Sequence, residues 1–465
     1  MGSSLYTRVV SSVVFPLHER LKGHRTTGIR RELERSQWWP QERLEAYRSR
    51  ALADLWDRAA RQVPYYRSLC QRIGLHAQDV RTTGDLACVP TLTKELIREH
   101  LDDLKAADST GLARCNTGGS TGEPLIFYLG RERVSHDVAA KWRATRWWGV
   151  DIGDPEVVLW GSPIELGAQD RLRGLRDRVL RSSLLPAFEM SEAKLHDFVE
   201  AIKARRPRML FGYPSALAHL ARYGIQRGEA LDSLGVEVAF VTAERLYDEQ
   251  RDAIQSVFGC RVANGYGGRD AGFVAHECPE EGMHITAEDV IVEILNPQGE
   301  PVSAGCTGEI VITHLRTGDF PFIRYRTGDI GVLGTECCPC GRGLPLLAQV
   351  QGRSTDFLVA QDGTVLHGLA LIYEVRDLPG VAAFKIIQEN RDLVRLLLVT
   401  TAQFQPGAEV AIRSGFRDRL GQGVTVQIER VGDIPPERSG KYRYVVSRVD
   451  PYAGGGARVA EGAAQ

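Results

Sequence analysis

Between Glu156 and Phe258 the sequence alternates short apolar runs with amphipathic stretches, and this alternation restricts the possible folds more than any other feature. Glu156 to Trp160 is a short apolar run that stops at Gly161. Leu195, Phe198, Val199 and Ile202 follow the i, i+3, i+4, i+7 spacing of a core-facing helix, closed near Pro207. Residues 209–211 read as a strand, Gly212-Tyr213-Pro214 as a turn, and residues 215–223 as a helix. Residues 236–241 are a further apolar strand, followed by Thr242-Ala243-Glu244 and a helix over 248–258. Strands alternating with helices imply a parallel sheet with crossover helices. Ligands of such sheets collect beyond the carboxyl ends of the strands. Ala243, Glu244, Gly265, Tyr266 and Gly267 are therefore expected at the binding edge.

A glycine-rich loop belongs at the same edge. Thr117-Gly118-Gly119-Ser120-Thr121-Gly122-Glu123-Pro124 packs three glycines and three hydroxyls into eight positions. Glycine lets backbone N–H groups approach an anion closely, so the loop is a plausible phosphate cradle. It lacks the Gly-Lys-Ser/Thr ending of a Walker loop. Taken alone, the octet reads first as an ordinary surface turn.

The remaining chain reads as follows. Residues 17–69 carry apolar residues at helical spacing and predict two or three amphipathic helices, interrupted at Pro40 and Pro64. Thr93 is placed to cap a helix that starts at Lys94. Residues 137–148 look helical, with Trp142, Trp147 and Trp148 as packing residues. From 289 to 333 the pattern changes to strands, with 290–295 and 309–315 alternating as half-buried strands do. Composition changes again at Gly352-Arg353. Strands near 394–400 and 424–431 flank a helix near 409–420, which describes a small α+β domain. The expected organisation is an α/β domain over 1–351 with parallel-rich sheets, crossover helices and a β-rich part. A mobile α+β domain follows over 352–450, and then a Gly/Ala-rich disordered tail over 451–465.

Charge narrows the partners. Lys plus Arg is 58 against Asp plus Glu 59, which gives no electrostatic reason to expect nucleic acid. No apolar run is long enough to span a bilayer. Residues 9–17 are short, contain two serines and precede no small-residue cleavage site, so no signal peptide is expected. A membrane-contacting helix there is the lesser reading. Grouped Cys and His in a chain of this kind suggest reduced thiols and a cytoplasmic setting. Cys278 and His284 are six apart, and Cys338 and Cys340 two apart. Three thiolates and one imidazole form a closed set suited to structural Zn²⁺, with Cys337 able to replace a neighbour. Four unrelated side chains are the alternative.

Further stretches carry chemistry compatible with a nucleotide. Asn264-Gly265-Tyr266-Gly267-Gly268-Arg269-Asp270 puts a ring beside glycine backbone and then a carboxylate able to hold Mg²⁺. Arg324-Tyr325-Arg326-Thr327-Gly328-Asp329 ends in a carboxylate suited to ribose hydroxyls. Gly352-Arg353-Ser354-Thr355-Asp356 and Ser439-Gly440-Lys441-Tyr442-Arg443 follow. Each alone reads first as something plainer: a hairpin turn, a surface salt bridge, a linker, a solvent-facing lysine. In this order, and with Pro90-Thr91-Leu92-Thr93-Lys94 and Phe211-Gly212-Tyr213-Pro214-Ser215, they resemble the adenylate-forming superfamily of acyl-CoA synthetases and adenylation domains. The branch they resemble is the phenylacetate–CoA ligase-like and capsular-polysaccharide-type group.

The resemblance implies a ligase that joins a small carboxylic acid to the α-phosphate of Mg·ATP. The acyl group would then pass to CoA, a carrier-protein thiol or an amine. It implies that Thr117, Gly118, Gly119, Ser120, Thr121 and Gly122 cradle phosphates and that Asp270 ligates Mg²⁺. Tyr266 would pack on adenine, Asp329 and Arg353 would hold the ribose, and Lys441 would bridge the carboxylate and α-phosphate. Phe211, Tyr213 and Phe273 are candidates for the acid pocket. The family usually carries Glu where Asp270 stands, and Asp or Lys at the hinge where Thr355 stands. A non-catalytic nucleotide- or acyl-binding protein that kept the fold is the competing reading.

Overall fold

Single side chains set the helix boundaries in the first hundred residues. Pro40 precedes the Gln41–Gln62 helix and Pro64 opens the Pro64–Ile73 helix, where a missing N–H loses no helical hydrogen bond. Thr93 Oγ1 accepts the Leu96 N–H at 3.3 Å and caps Lys94–Glu99. Leu52, Leu55, Trp56, Ala59 and Val63 recur on one face and bury in a common core with Phe127, Phe320 and Phe322. Three helical rods precede Pro64: the continuous Leu5–Val9, Val10–Val14 and Phe15–Leu21 run, then Thr26–Ser36 and Gln41–Gln62.

The structure is a computed structural model that describes residues 4–117, 125–160, 171–187, 190, 192–353, 357–362, 365–367, 369–376, 378–435 and 443–449. Its chain divides into two compact units. One is built on residues up to Thr327 with Gly331–Val350, the other on Gly328–Ile330 with the chain from Gln351 onward.

In the larger unit, β1 (Ala113–Asn116) and β2 (Ile126–Leu129) form an antiparallel ribbon. A seven-stranded sheet comprises β3 (Glu156–Trp160), β4 (Ser182–Pro186), β5 (Met209–Gly212), β6 (Val238–Thr242), β7 (Arg261–Gly268), β8 (Gly272–Glu277) and β9 (Met283–Ile285). The order is β4-β3-β5-β6-β7-β8-β9, parallel from β4 to β7 and antiparallel across β8 and β9. The Glu192–Arg205, Pro214–Arg227 and Asp248–Phe258 helices cover one face through Val199, Leu217 and Ile254. The Arg131–Trp147 helix covers the other, with Ala144 packed beside Phe211, Phe240 and Ala263. This is the expected α/β arrangement.

That last helix starts six residues before the sequence suggested. Arg133, Ser135 and His136 are polar yet buried, so its inward face does not look apolar in the sequence. Gly265-Tyr266-Gly267 is strand rather than loop. It lies in β7, with a register shift between Tyr266 and Gly267, and a Cβ on Gly267 would collide with the Gly272 carbonyl.

A second sheet has the order β10-β11-β12-β13, from β10 (Val290–Leu295), β11 (Thr307–His314), β12 (Tyr325–Leu333) and β13 (Leu347–Arg353). β10 and β11 are not half-buried. Val292 and Ile294 face one core with Ile310 and Ile312, and Ile291 faces another with the first helices. Coverage on both sides removes the polar face that alternation would require.

The smaller unit holds a ribbon of β14 (Phe357–Val359) and β15 (Val365–His367) and a four-stranded sheet. That sheet has the order β18-β17-β16-β19, from β16 (Val381–Asn390), β17 (Leu393–Thr400), β18 (Thr425–Arg430) and β19 (Val445–Ser447). Ile412 and Phe416 of the Pro406–Leu420 helix pack on Phe384, Ile386, Leu396 and Leu398. No helix among the described residues is long and apolar enough to cross a membrane.

Candidate functional site

Ala243, Glu244, Tyr266 and Asp270 lie where β6 and β7 end. Ala243 follows β6 with φ of +71°. A non-glycine residue held there costs on the order of 1–3 kcal/mol and marks a loop fixed by its surroundings. Glu244 Oε2 then accepts the Ser215 N–H at 3.2 Å. Its negative charge sits at the N-terminus of the Pro214–Arg227 helix, where the helix dipole favours it. The contact fastens the loop after β6 to the turn after β5.

Tyr213 occupies that turn and stacks on Trp160 with ring centroids 4.3 Å apart. The aromatic row continues across the sheet. Trp160 to Phe211 is 5.8 Å, Phe211 to Phe240 5.9 Å, Phe240 to His276 5.9 Å, and His276 to Phe273 5.1 Å. The three acid-pocket candidates thus belong to one row but not to one spot. Tyr213 and Phe211 are nearly buried at one end, while Phe273 packs at the other beside Ile29, Leu33 and Ala139. Burial and the Arg143 charge push His276 down to about 3, so it stays neutral.

Asp270 sits in the turn between β7 and β8, held by two hydrogen bonds. Tyr325 Oη donates to its Oδ2 at 2.6 Å, and Arg133 Nη2 donates to its backbone carbonyl at 3.2 Å. Its Oδ1 lies over Gly268, where a Cβ would stand 2.7 Å away. Arg133 is buried and also donates to Asp137 Oδ2 at 2.8 Å, and Asp137 Oδ1 is 3.6 Å from His314 Nε2. Burial alone would raise the Asp137 carboxyl, but Arg133 and His314 hold it below its usual range. Gly272 has φ of +87°, and any side chain there would press on Arg133, Asp137 and His314. The turn is therefore clamped from beneath, with a hard carboxylate oxygen presented above a glycine. That donor suits Mg²⁺.

Tyr266 reaches across from β7, its Oη 3.5 Å from Thr327 Oγ1. Lys94 Nζ donates to the Thr327 carbonyl at 3.4 Å. Lys94 was not a sequence candidate for the site. It arrives there because Leu92 pairs with β12, donating to the Arg324 carbonyl and accepting from the Arg326 N–H, each at 2.9 Å. The signal available in the sequence was the Pro90-to-Lys94 stretch itself.

At the glycine-rich loop, Thr117 and Leu125 close the base. Thr117 N–H donates to the Leu125 carbonyl at 2.9 Å, and Leu125 N–H donates to Thr117 Oγ1 at 3.0 Å. Arg269, next to Asp270, donates to the Asn116 carbonyl at 3.4 Å and so reaches the same base. Gly118, Gly119, Ser120, Thr121 and Gly122 lie outside the described residues, as do Lys441 and Ser354-Thr355-Asp356. Asp329 lies within β12 and Arg353 ends the neighbouring β13.

The structure brings Cys278, His284, Cys338 and Cys340 together, with all four ligand atoms within 4.8 Å of one another. Cys278 Sγ is 3.6 Å from Cys338 Sγ, and Cys340 Sγ is 3.1 Å from His284 Nε2. His284 Nδ1 is 3.3 Å from the Leu344 carbonyl, which fixes the ring so that Nε2 faces the thiols. A side chain at Gly282 would press on Cys338 Sγ. Cys337 is exposed and outside the group. Burial pushes the Cys278 thiol up to about 12. Burial also opposes ionisation of Cys340, but hydrogen bonds from Arg342 outweigh it and hold that thiol low. A softly ligating dication at the centre would supply the charge that three clustered thiolates require.

Known proteins resemble this chain in both parts. The AMP-binding enzyme family matches residues 180–315, and the CapK C-terminal domain family matches residues 358–448. The chain is 22% identical to protein CapK of Staphylococcus aureus over 396 residues, 83% of this chain and 85% of that one. It is 28% identical to a phenylacetate-coenzyme A ligase of Thermus thermophilus over 329 residues, 69% of this chain and 72% of that one. A 2-hydroxyisobutyryl-CoA ligase, crystallised with 2-HIB-AMP, shares the fold. Its TM-score is 0.71 at 20% identity, covering 90% of this chain and 92% of that one.

Proposed function

The chain belongs to the adenylate-forming superfamily, on its phenylacetate–CoA ligase-like and CapK branch, and we propose that it is an ATP-dependent ligase that activates a small carboxylic acid. The acid's carboxylate oxygen attacks the α-phosphorus of ATP, and pyrophosphate leaves with the bonding electrons. The acyl-adenylate so formed is attacked at its carbonyl carbon by the thiol of CoA, and AMP leaves.

Each residue has a role in this reading. Thr117 anchors the glycine-rich loop, whose Gly118–Gly122 backbone N–H groups would cradle the phosphates. Tyr266 packs against the adenine and Ala243-Glu244 shapes the floor beneath it. Asp329 and Arg353 hold the ribose. Asp270 would hold Mg²⁺, which neutralises phosphate charge when bound. Lys94 adds a cation beside Thr327. Lys441 stabilises the charge that develops between carboxylate and α-phosphate, the role of a preorganised cation in phosphoryl-type transfer. Phe211 and Tyr213 line the acid side, and Phe273 stands at the far end of the same aromatic row. Gly352-Arg353-Ser354-Thr355-Asp356 serves as the pivot between half-reactions, and Gly352 has the φ of +101° that favours glycine. Cys278, His284, Cys338 and Cys340 would hold a structural zinc.

The observation that carries the proposal is the clamped Asp270, whose carboxylate is positioned by Tyr325 and whose turn is fixed by Arg133. The test is a product assay with ATP, CoA and a panel of aryl, hydroxy and fatty acids. AMP release together with an acyl-CoA of matching mass supports the reading. AMP release without thioester moves the acceptor to a carrier-protein thiol or an amine. Tight ATP binding without AMP release under any acid would instead fit a binding protein that kept the fold.

A further inference from the structure

One surface lies apart from the adenylation machinery. The Leu5–Val9 helix, a π-helical turn over Val10–Val14 and the Phe15–Leu21 helix run continuously. Leu5, Val9, Val13, Leu17 and Leu21 recur every fourth residue and are all exposed, between 47% and 81%. In a pure α-helix a four-residue spacing drifts by about 40° per step. The π-turn closes i→i+5 and takes up more residues per turn, which offsets part of that drift. The result is a continuous exposed apolar ridge.

The other side of this rod is fixed to the body. Thr7 Oγ1 donates to Asp154 Oδ1 at 2.8 Å, Val10 packs where Gly153 has no side chain, and Phe15 meets Trp142 edge-on at 5.1 Å. The ridge is therefore displayed rather than left over from a loose segment. Its flanks are cationic. Residues 4–25 carry four basic side chains (Arg8, Arg20, Lys22 and Arg25) against one acid, a net of +3 in a chain whose total is −1. The single acid, Glu19, is buried and engaged by His24 and Thr26. Arg181 lies 4.0 Å over the Tyr6 ring and adds an exposed cation beside the ridge.

We propose that this face docks the protein on an anionic phospholipid bilayer, the rod lying in the plane of the interface. Leu5, Val9, Val13, Leu17 and Leu21 enter the acyl boundary, and Arg8, Arg20, Lys22 and Arg181 meet the headgroup phosphates. Tyr6 sits between the two at headgroup depth, where an aromatic ring with a polar edge is favoured. An apolar stripe with flanking cations binds such surfaces through buried area and electrostatic attraction together. A protein partner for the ridge would not call for cations along both ends. The proposal is independent of the adenylation chemistry.

Co-sedimentation of the full chain with sucrose-loaded vesicles tests it. Binding is expected to phosphatidylcholine vesicles containing phosphatidylglycerol, to weaken with added salt, and to be far weaker on phosphatidylcholine alone. Val13→Asp with Leu17→Asp should lower the apparent affinity roughly tenfold or more. Arg20→Glu with Lys22→Glu should also weaken it while leaving the ridge intact. All four side chains are exposed, so circular dichroism melts should stay unchanged. Failure to bind either vesicle, or unchanged binding by the Val13/Leu17 variant, would overturn the proposal. So would a dimer, measured by light scattering, that the same variant dissociates, because a second copy would then be the occupant.

Discussion

Tyr325 Oη donates a 2.6 Å hydrogen bond to Asp270 Oδ2, joining the buried start of β12 to the turn between β7 and β8. One carboxylate oxygen is thereby fixed and the other is left over Gly268. A hydrogen bond to a charged group contributes about 1.5–3 kcal/mol. Tyr325→Phe should therefore slow adenylate formation by about tenfold to a hundredfold and shift its Mg²⁺ dependence to higher concentration. A variant with a lowered melting temperature and an unchanged Mg²⁺ dependence would reduce the hydroxyl to a packing role.

The thiol cluster predicts a metal content. Protein purified without added metal should contain about one zinc per chain. Cys278→Ser or Cys338→Ser should abolish it and lower the melting temperature, because binding free energy is folding free energy at such sites. Chelation should do the same to the native chain. Metal-free protein whose cluster thiols all react freely while folded would contradict this assignment.

His276 makes acid sensitivity testable. Its folded pKa is pushed down to about 3 from the ordinary 6.5, first by burial and then by Arg143. Between those values the unfolded chain binds the extra proton, so acid favours unfolding. The stability this neutral ring contributes is complete above pH 6.5 and is lost as pH falls toward 3. His276→Phe keeps an aromatic ring between Phe240 and Phe273 and removes the titration. Its melting temperature relative to the native chain should be higher at pH 4.5 than at pH 7.5. An unchanged difference would mean that His276 does not take part. His314, held down to about 4 by burial and Arg133, leaves part of the slope in place.

Lys441 separates the half-reactions. Lys441→Ala should lower adenylate formation roughly a hundredfold or more, as loss of a preorganised oxyanion donor does. Supplied with synthetic acyl-adenylate, the same variant should still form thioester at a near-native rate. Equal loss in both steps would indicate a damaged fold and remove the assigned role.

What the sequence disclosed follows from where local chemistry decides. Pro40, Pro64 and Thr93 act through their own backbone and side chains, so helix starts were legible. The parallel sheet was legible because β3, β5 and β6 are apolar on both faces and are separated by amphipathic helices. Arg133 hid the first turns of the helix that carries it and Arg143. Each is only 1% exposed, with its charge met by Asp137 and Glu288, so a buried face reads as a solvated one. Spacing disclosed Cys278–His284 and Cys338–Cys340 as pairs. Their union depends on β9 meeting Leu346 across an isolated bridge, a long-range contact that spacing does not encode. Lys94 was missed for the same reason, since only the Leu92–Tyr325 pairing brings it to Thr327.

The proposed activity begins with activation of a carboxylic acid through its adenylate. Acid-dependent exchange of labelled pyrophosphate into ATP measures that step alone, without CoA or any other acceptor. Exchange is expected with at least one acid of a panel spanning aryl, hydroxy and fatty acids, and is expected to be lost in Asp270→Asn and in Lys441→Ala. Absence of exchange with every acid, in protein that binds ATP tightly and melts cooperatively, would contradict it.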